Sequence, residues 1–187
     1  MTRRGYTIQH HISWVRGDEQ QAKIPRPDFR KLKNMYTIFF SSHGIVLQLP
    51  CESGKAVIAT FFTEQVLPNL IKNIEKYRPI TGTRGMKILI NNASSHTANL
   101  TKNFLDVEGL ELLPHLAYSP DLAPCDFWLF PKLKIYLQGK DVNTLQALGT
   151  GLYQYFKSIT DEEYRNVFYK WVKRSKLCAS AGGDYFG

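Results

Sequence analysis

Between Ala117 and Lys134 the chain reads AYSPDLAPCDFWLFPKLK, two aspartates set five positions apart among prolines and followed by an aromatic, apolar run. An aspartate at such a place has two chemistries open to it. As a helix N-cap, Asp126 would accept hydrogen bonds from the first unpaired backbone N–H groups and suit the positive end of the helix dipole. As a ligand, it would bring a hard anionic oxygen to a divalent cation. Phosphodiester cleavage by two magnesium ions roughly 3.5–4 Å apart requires several such carboxylates, so that the cations can activate a water or 3′-hydroxyl and stabilise the leaving oxygen. The second role therefore needs other polar side chains to converge on Asp126, and elements that carry them there.

The elements follow from periodicity. Residues 6–18 alternate around Ile8, Ile12 and Trp14 and predict a strand ending near Asp18, and the proline-broken, basic stretch Gln20 to Asn34 predicts a loop. YTIFFSSHGIVLQLP predicts a hairpin turning across Ser41 to Gly44. The spacing of Phe61, Phe62, Val66, Leu67, Leu70, Ile71 and Ile74 predicts a helix over 57–78, kinked by Pro68. MKILINN at 86–92 reads as a buried central strand, followed by a helix at about 97–107 and a strand at 110–113. Three helices close the chain, at 126–137, 145–156 and 161–177, the last opening on a Thr160/Glu163 capping box. Strand, hairpin, helix, strand, helix, strand, helices is the order of an α/β domain with a mixed central sheet flanked by helices. In an RNase H-like core of this kind, Asp18, position 91 and Asp126 are the placements that would meet.

Composition narrows the partners. The 187 residues carry 24 Lys+Arg against 16 Asp+Glu, a net charge of +8, which favours a polyanion because each cation that neutralises a phosphate releases condensed counterions. With 43% hydrophobic residues the chain can bury one core, and a single domain over 1–187 is expected. No apolar run approaches the roughly 18 residues of a membrane span, and MTRRGYTIQHHIS lacks the apolar region of a secretory signal, so a nuclear or cytoplasmic location and no membrane partner are expected. Cys51, Cys125 and Cys178 have no metal-binding spacing and are read as reduced, packed thiols.

RGDE at 16–19, ILINNASSHTA at 88–98, LLPHLAYSPDLAPCDFWLFPKLK at 112–134, LQGK at 137–140 and KLCASAGGDYF at 176–186 together resemble the catalytic domain of mariner-type transposases of the Tc1/mariner superfamily. The resemblance runs over essentially the whole chain. It implies an RNase H-like fold, metal-dependent DNA strand cleavage and strand transfer with Mg²⁺ or Mn²⁺, DNA held through its phosphates, no small-molecule substrate and a homodimer. Position by position, Asp18 matches the first metal-binding aspartate and Asp126 the third, while Asn91 stands where the second belongs. The family's 34 residues between the last two positions are kept here.

Asn91 is the departure with chemical weight: an amide offers a neutral oxygen where a hard cation draws affinity from charge, so cation binding is expected to be weakened and catalysis impaired. The segment after Asp18 is shorter and more polar than the family's, and because the resemblance begins at the catalytic region, sequence-specific recognition by the family's helix-turn-helix modules is expected to be missing. The alternative is a non-catalytic, domesticated module that binds DNA or protein. Glu19 and His115 are assigned structural roles, His96 that of a hydrogen-bonded loop histidine near the site, and Phe127, Trp128 and Phe130 core packing. Lys132 and Lys134 are either phosphate contacts or a solvated face.

Overall fold

The computed structural model describes residues 34–51 and 56–182. The expected strand over 6–18, with Asp18 and Glu19, and the loop up to residue 33 lie outside the described residues.

The hairpin is formed by β1 (Met35–Ser41) and β2 (Gly44–Cys51), antiparallel and turning at Ser42 and His43. Gly44 follows the turn at φ 122°, a conformation that only glycine adopts without strain. Phe39 pairs with Leu47 but Phe40 with Ile45, so Val46 is an extra residue and the ladder carries a bulge. Period-two alternation gives the hairpin two apolar faces. Phe39, Val46, Leu47 and Leu49 join one core with Phe62, Val66, Leu67, Leu70 and Leu105, whereas Tyr36, Ile38, Phe40 and Ile45 join a second with Trp128, Leu129, Leu152 and Tyr164. The hairpin is thus a partition packed on both sides, and burying each of these large side chains contributes about 1.5–3 kcal/mol.

The predicted helix over 57–78 appears as three joined pieces, α1 (Ala59–Phe61), a π-turn (Phe62–Val66) and α2 (Leu67–Tyr77). The expected kink at Pro68 takes the form of that π-turn. Leu67 N–H donates to the Phe62 carbonyl, one residue wider than an α-turn, immediately before the proline that has no N–H and whose ring would strike the carbonyl four residues back. The same device recurs downstream. A π-turn at Cys125–Leu129 closes with Phe130 N–H on the Cys125 carbonyl just ahead of Pro131, and α5 (Phe130–Leu137) continues from it.

Between these helices lie β3 (Lys87–Leu89), α3 (Ser94–Thr97), α4 (Asn99–Val107) and β4 (Glu111–Leu113), with β3 and β4 parallel in the register Lys87↔Glu111, Ile88↔Leu112, Leu89↔Leu113. The strand expected at 86–92 is shorter than its apolar run, because residues 90–93 leave the ladder to form the loop before α3. Among the described residues the strands make two two-stranded sheets, one antiparallel and one parallel, the two pairing senses a mixed architecture requires. α6 (Leu145–Ser158) and α7 (Asp161–Ser180) cover the second core, two and three residues longer than their apolar spacing indicated, and the Thr160/Glu163 capping box is present. Phe130 departs from its assignment to the core: it is 49% exposed, while Trp128 is buried. No helix among the described residues is long and apolar enough to cross a membrane.

Gly149 sets how closely α6 approaches the hairpin. A Cβ there would run into the hydroxyl of Tyr36, which is held in place by its own hydrogen bond to the Leu145 carbonyl at 3.0 Å, and Gln48 donates to the Gly149 carbonyl at 3.1 Å. Gly149→Ala is expected to lower stability by about 1–3 kcal/mol through overpacking, despite alanine's better helix propensity, and Tyr36→Phe in the same chain should recover part of the loss. Urea unfolding of the two variants against the native chain measures both effects.

Candidate functional site

Parallel strands deliver their carboxyl ends to one edge, and the residues that follow β3 and β4 meet there. Asn91 and Asn92 leave β3, and His115 leaves β4. The Asn92 side chain donates to the His115 carbonyl at 3.0 Å, fastening the two exits together. Asp126 lies in the first turn of the π-segment that opens at Cys125, and its own N–H donates to the Ala123 carbonyl at 2.8 Å. Trp128 and Leu129, both buried, anchor this turn from beneath. His115 is close enough for its charge to act on the Asp126 carboxyl. Asn91 thus adjoins one partner of this bond in sequence, and Asp126 feels the charge of the other.

The N-cap reading of Asp126 needs correcting. Pro124 occupies the cap position, and no group among the described residues donates to the Asp126 carboxylate. Partial burial raises its pKa above the ordinary carboxylate value and the positive field of His115 acts in the opposite direction. Such a carboxylate opposes folding when ionised. Cys125 beside it is unsuited to act as a nucleophile near neutral pH. Burial, reinforced by the Asp126 charge, pushes its thiol up to about 12.

Asn91 is held on the protein side of the loop. Its Oδ1 accepts from Ala93 N–H at 3.2 Å and lies 2.7 Å from His96 Nδ1, which is also 3.2 Å from the Asn91 carbonyl. A backbone N–H can only donate, so the atom facing Ala93 is the amide oxygen. Facing two oxygens, Nδ1 of His96 carries the proton. The imidazole packs against Phe62 with ring centroids 4.5 Å apart and planes tilted by 48°, next to the π-turn that precedes Pro68. Burial lowers the His96 pKa and the contact with the Asn91 carbonyl raises it.

The loop carrying Asp121 is clasped from α7. Arg174 Nη1 donates to the Asp121 carbonyl at 2.9 Å and its guanidinium lies 4.2 Å from the Phe127 ring centroid. Tyr118, at the start of this loop, has φ 60°, a conformation that costs an aromatic residue energy. Lys132 is committed to an ion pair with Glu163 at 3.0 Å, so it is not simply a solvated cation, while Lys134 is exposed. Asn92, Ala93 and Arg174 are contributors that the residue types did not single out. A paired Asn-Asn at the end of a predicted strand was the available clue for Asn92, whereas the roles of Ala93 and Arg174 are backbone and long-range. Among the described residues no three His, Cys, Asp or Glu side chains group closely enough to hold a metal ion.

Because folding raises the Asp126 pKa, its penalty is absent below the carboxyl's unfolded pKa and is established as pH rises through the folded one. Asp126→Asn is expected to raise the thermal unfolding midpoint at neutral pH and to leave it unchanged in acid. Melting curves across that range check the sign.

No family model matches the chain. Mariner Mos1 transposase of Drosophila mauritiana is 27% identical over 175 residues, 92% of this chain and 50% of that protein, so the chain spans half the length of this relative. The solved Mos1 transposase catalytic domain with raltegravir and Mg superposes with a TM-score of 0.74 at 30% identity, covering 82% of this chain and 77% of that one. The Mos1 paired-end complex with the left transposon end gives a TM-score of 0.78 at 29% identity over 94% of this chain and 51% of that one. The RNase H-like architecture expected from the order of elements is shared with these structures. With the motifs at 88–98 and 112–134, that agreement over most of a catalytic domain places the chain among the mariner-type transposases.

Proposed function

We propose that this chain is a mariner-type transposase catalytic domain that retains phosphate-backbone binding to DNA but is impaired in strand cleavage and strand transfer, because position 91 carries an amide in place of an anion. The observation that supports the reading is that the exits of β3 and β4, which carry Asn91 and His115, are tied by the Asn92 bond to the His115 carbonyl, and that His115 is close enough to Asp126 to act on its carboxyl. On this reading Asp18, Asn91 and Asp126 descend from a three-carboxylate set for Mg²⁺ or Mn²⁺.

The described residues do not fit a two-cation centre by themselves. Asp126 brings an anionic oxygen in a partly desolvated setting, and Asn91 brings a neutral oxygen already accepting from Ala93 and His96. What the described groups supply is a carboxylate with no donor among the described residues, a neighbouring histidine, and a surplus of basic side chains. The net charge of +8 supports DNA as the partner, held without base readout. A homodimer and a nuclear location belong to the same reading, the first supported by the paired-end assembly of Mos1. The neutral residue at position 91 and the surplus of cations also support the second reading, a non-catalytic DNA-binding or protein-interaction module.

Nicking of duplex DNA with Mg²⁺ or Mn²⁺ by the native chain and by Asn91→Asp separates the two. The native chain is expected to cut at least about 10²–10³-fold more slowly than the substituted one. Equal, robust cutting by both overturns the proposal. Cutting by neither, with DNA binding that weakens as salt rises, selects the binding module.

A further inference from the structure

Resting on that reading of position 91, we propose that His96 and the Ala93 N–H form a two-donor clamp on Oδ1 of Asn91, so that the side chain as it stands supplies no oxygen to a divalent cation. His96 is then the positioning residue that would hold a carboxylate at this position with one oxygen engaged and the other presented outward. The two contacts, 3.2 Å from Ala93 N and 2.7 Å from His96 Nδ1, account for both in-plane lone pairs of the amide oxygen. The remaining half of the amide is the NH₂, a donor whose partial positive charge repels a cation. Turning the amide over would set NH₂ against the Ala93 N–H, two donors facing each other, so the clamp also resists the flip that would expose the oxygen.

The clamp is built from well-separated parts of the chain. Phe62, 1% exposed, supports the imidazole face from the π-turn, and the Asn91 carbonyl shares the Nδ1 proton at 3.2 Å. Ser95 and Thr101 pin the helix pair that carries His96, with Thr101 Oγ1 donating to the Ser95 carbonyl at 2.6 Å and both residues buried. An aspartate at 91 would keep the same two donors on one oxygen and place its second oxygen where the NH₂ now lies. The loss of the site is therefore more than the loss of a charge: the amide presents the wrong end.

Nitrogen-15 NMR of the full chain with labelled histidine reads the clamp directly, without metal. His96 in its neutral form is expected as the Nδ1–H tautomer, with Nε2 bare, and an Nε2–H tautomer overturns the proposal. Mn²⁺ binding followed by electron paramagnetic resonance then tests the positioning role in the Asn91→Asp chain. Adding His96→Phe, which keeps a ring on Phe62 but donates nothing, is expected to weaken Mn²⁺ binding about 10–100-fold, and His96→Gln, which restores an N–H donor, to recover part of it. Equal affinity in all three chains overturns the positioning role. If Asn91→Asp binds Mn²⁺ no better than the native chain while the tautomer is as expected, the clamp stands and position 91 falls as a metal position.

Discussion

The parallel pairing of β3 with β4, three residues on each strand, is the constraint on which the site depends. Because both strands run the same way, the chain leaves each at the same edge, and open α/β sheets place their ligands at the carboxyl ends of strands for this reason. A shift of one register position would move Asn92 away from the His115 carbonyl and turn the side chains of the pair to opposite faces. The ladder is short, so it relies on its surroundings: Ile88 is buried in the core with Ile74 and Leu105, and the Lys87–Glu111 pair at 2.6 Å is exposed and adds at most about 1 kcal/mol.

Two prolines shape the elements that support this edge. Pro68 and Pro131 each follow a π-turn, the first carrying Phe62, which packs against His96, and the second carrying Asp126. A regular α-helix would rotate both residues away from their present directions, since the wider turn shifts the phase of the residues on either side. The irregularity that a proline forces on a helix thus sets the direction of a neighbouring side chain. The bulge at Val46 acts similarly in the hairpin, allowing adjacent residues to face the same core while Ile45 and Phe40 serve the other.

Burial of the Asp126 carboxyl opposes folding rather than stabilising it. Asp126 is left without a donor among the described residues and has its pKa raised by burial, while Arg174 holds the Asp121 carbonyl and Lys132 pairs with Glu163. That division leaves acceptor capacity at Asp126, whereas at Asn91 the acceptor capacity is spent within the loop. Among the described residues Asp126 and Asn91 thus differ in the hydrogen bonds around them as much as in charge.

Much of the architecture was legible in the residues. Periodicities of two and 3.6 placed the hairpin, the helices of the second half and the capping box, because these depend on local pattern and on chemistry within four residues. The YSPDLAP block and the amide at 91 marked the family and its departure, since residue type alone distinguishes Asn from Asp. The tertiary structure decided the rest. It made the Pro68 kink a π-turn, moved the cap from Asp126 to Pro124, left Phe130 half outside the core and brought Asn92 to His115, 23 residues away. It also set which end of the Asn91 amide faces the protein. That choice depends on a backbone donor at 93 and an imidazole seated on Phe62, partners that only folding brings within hydrogen-bonding distance.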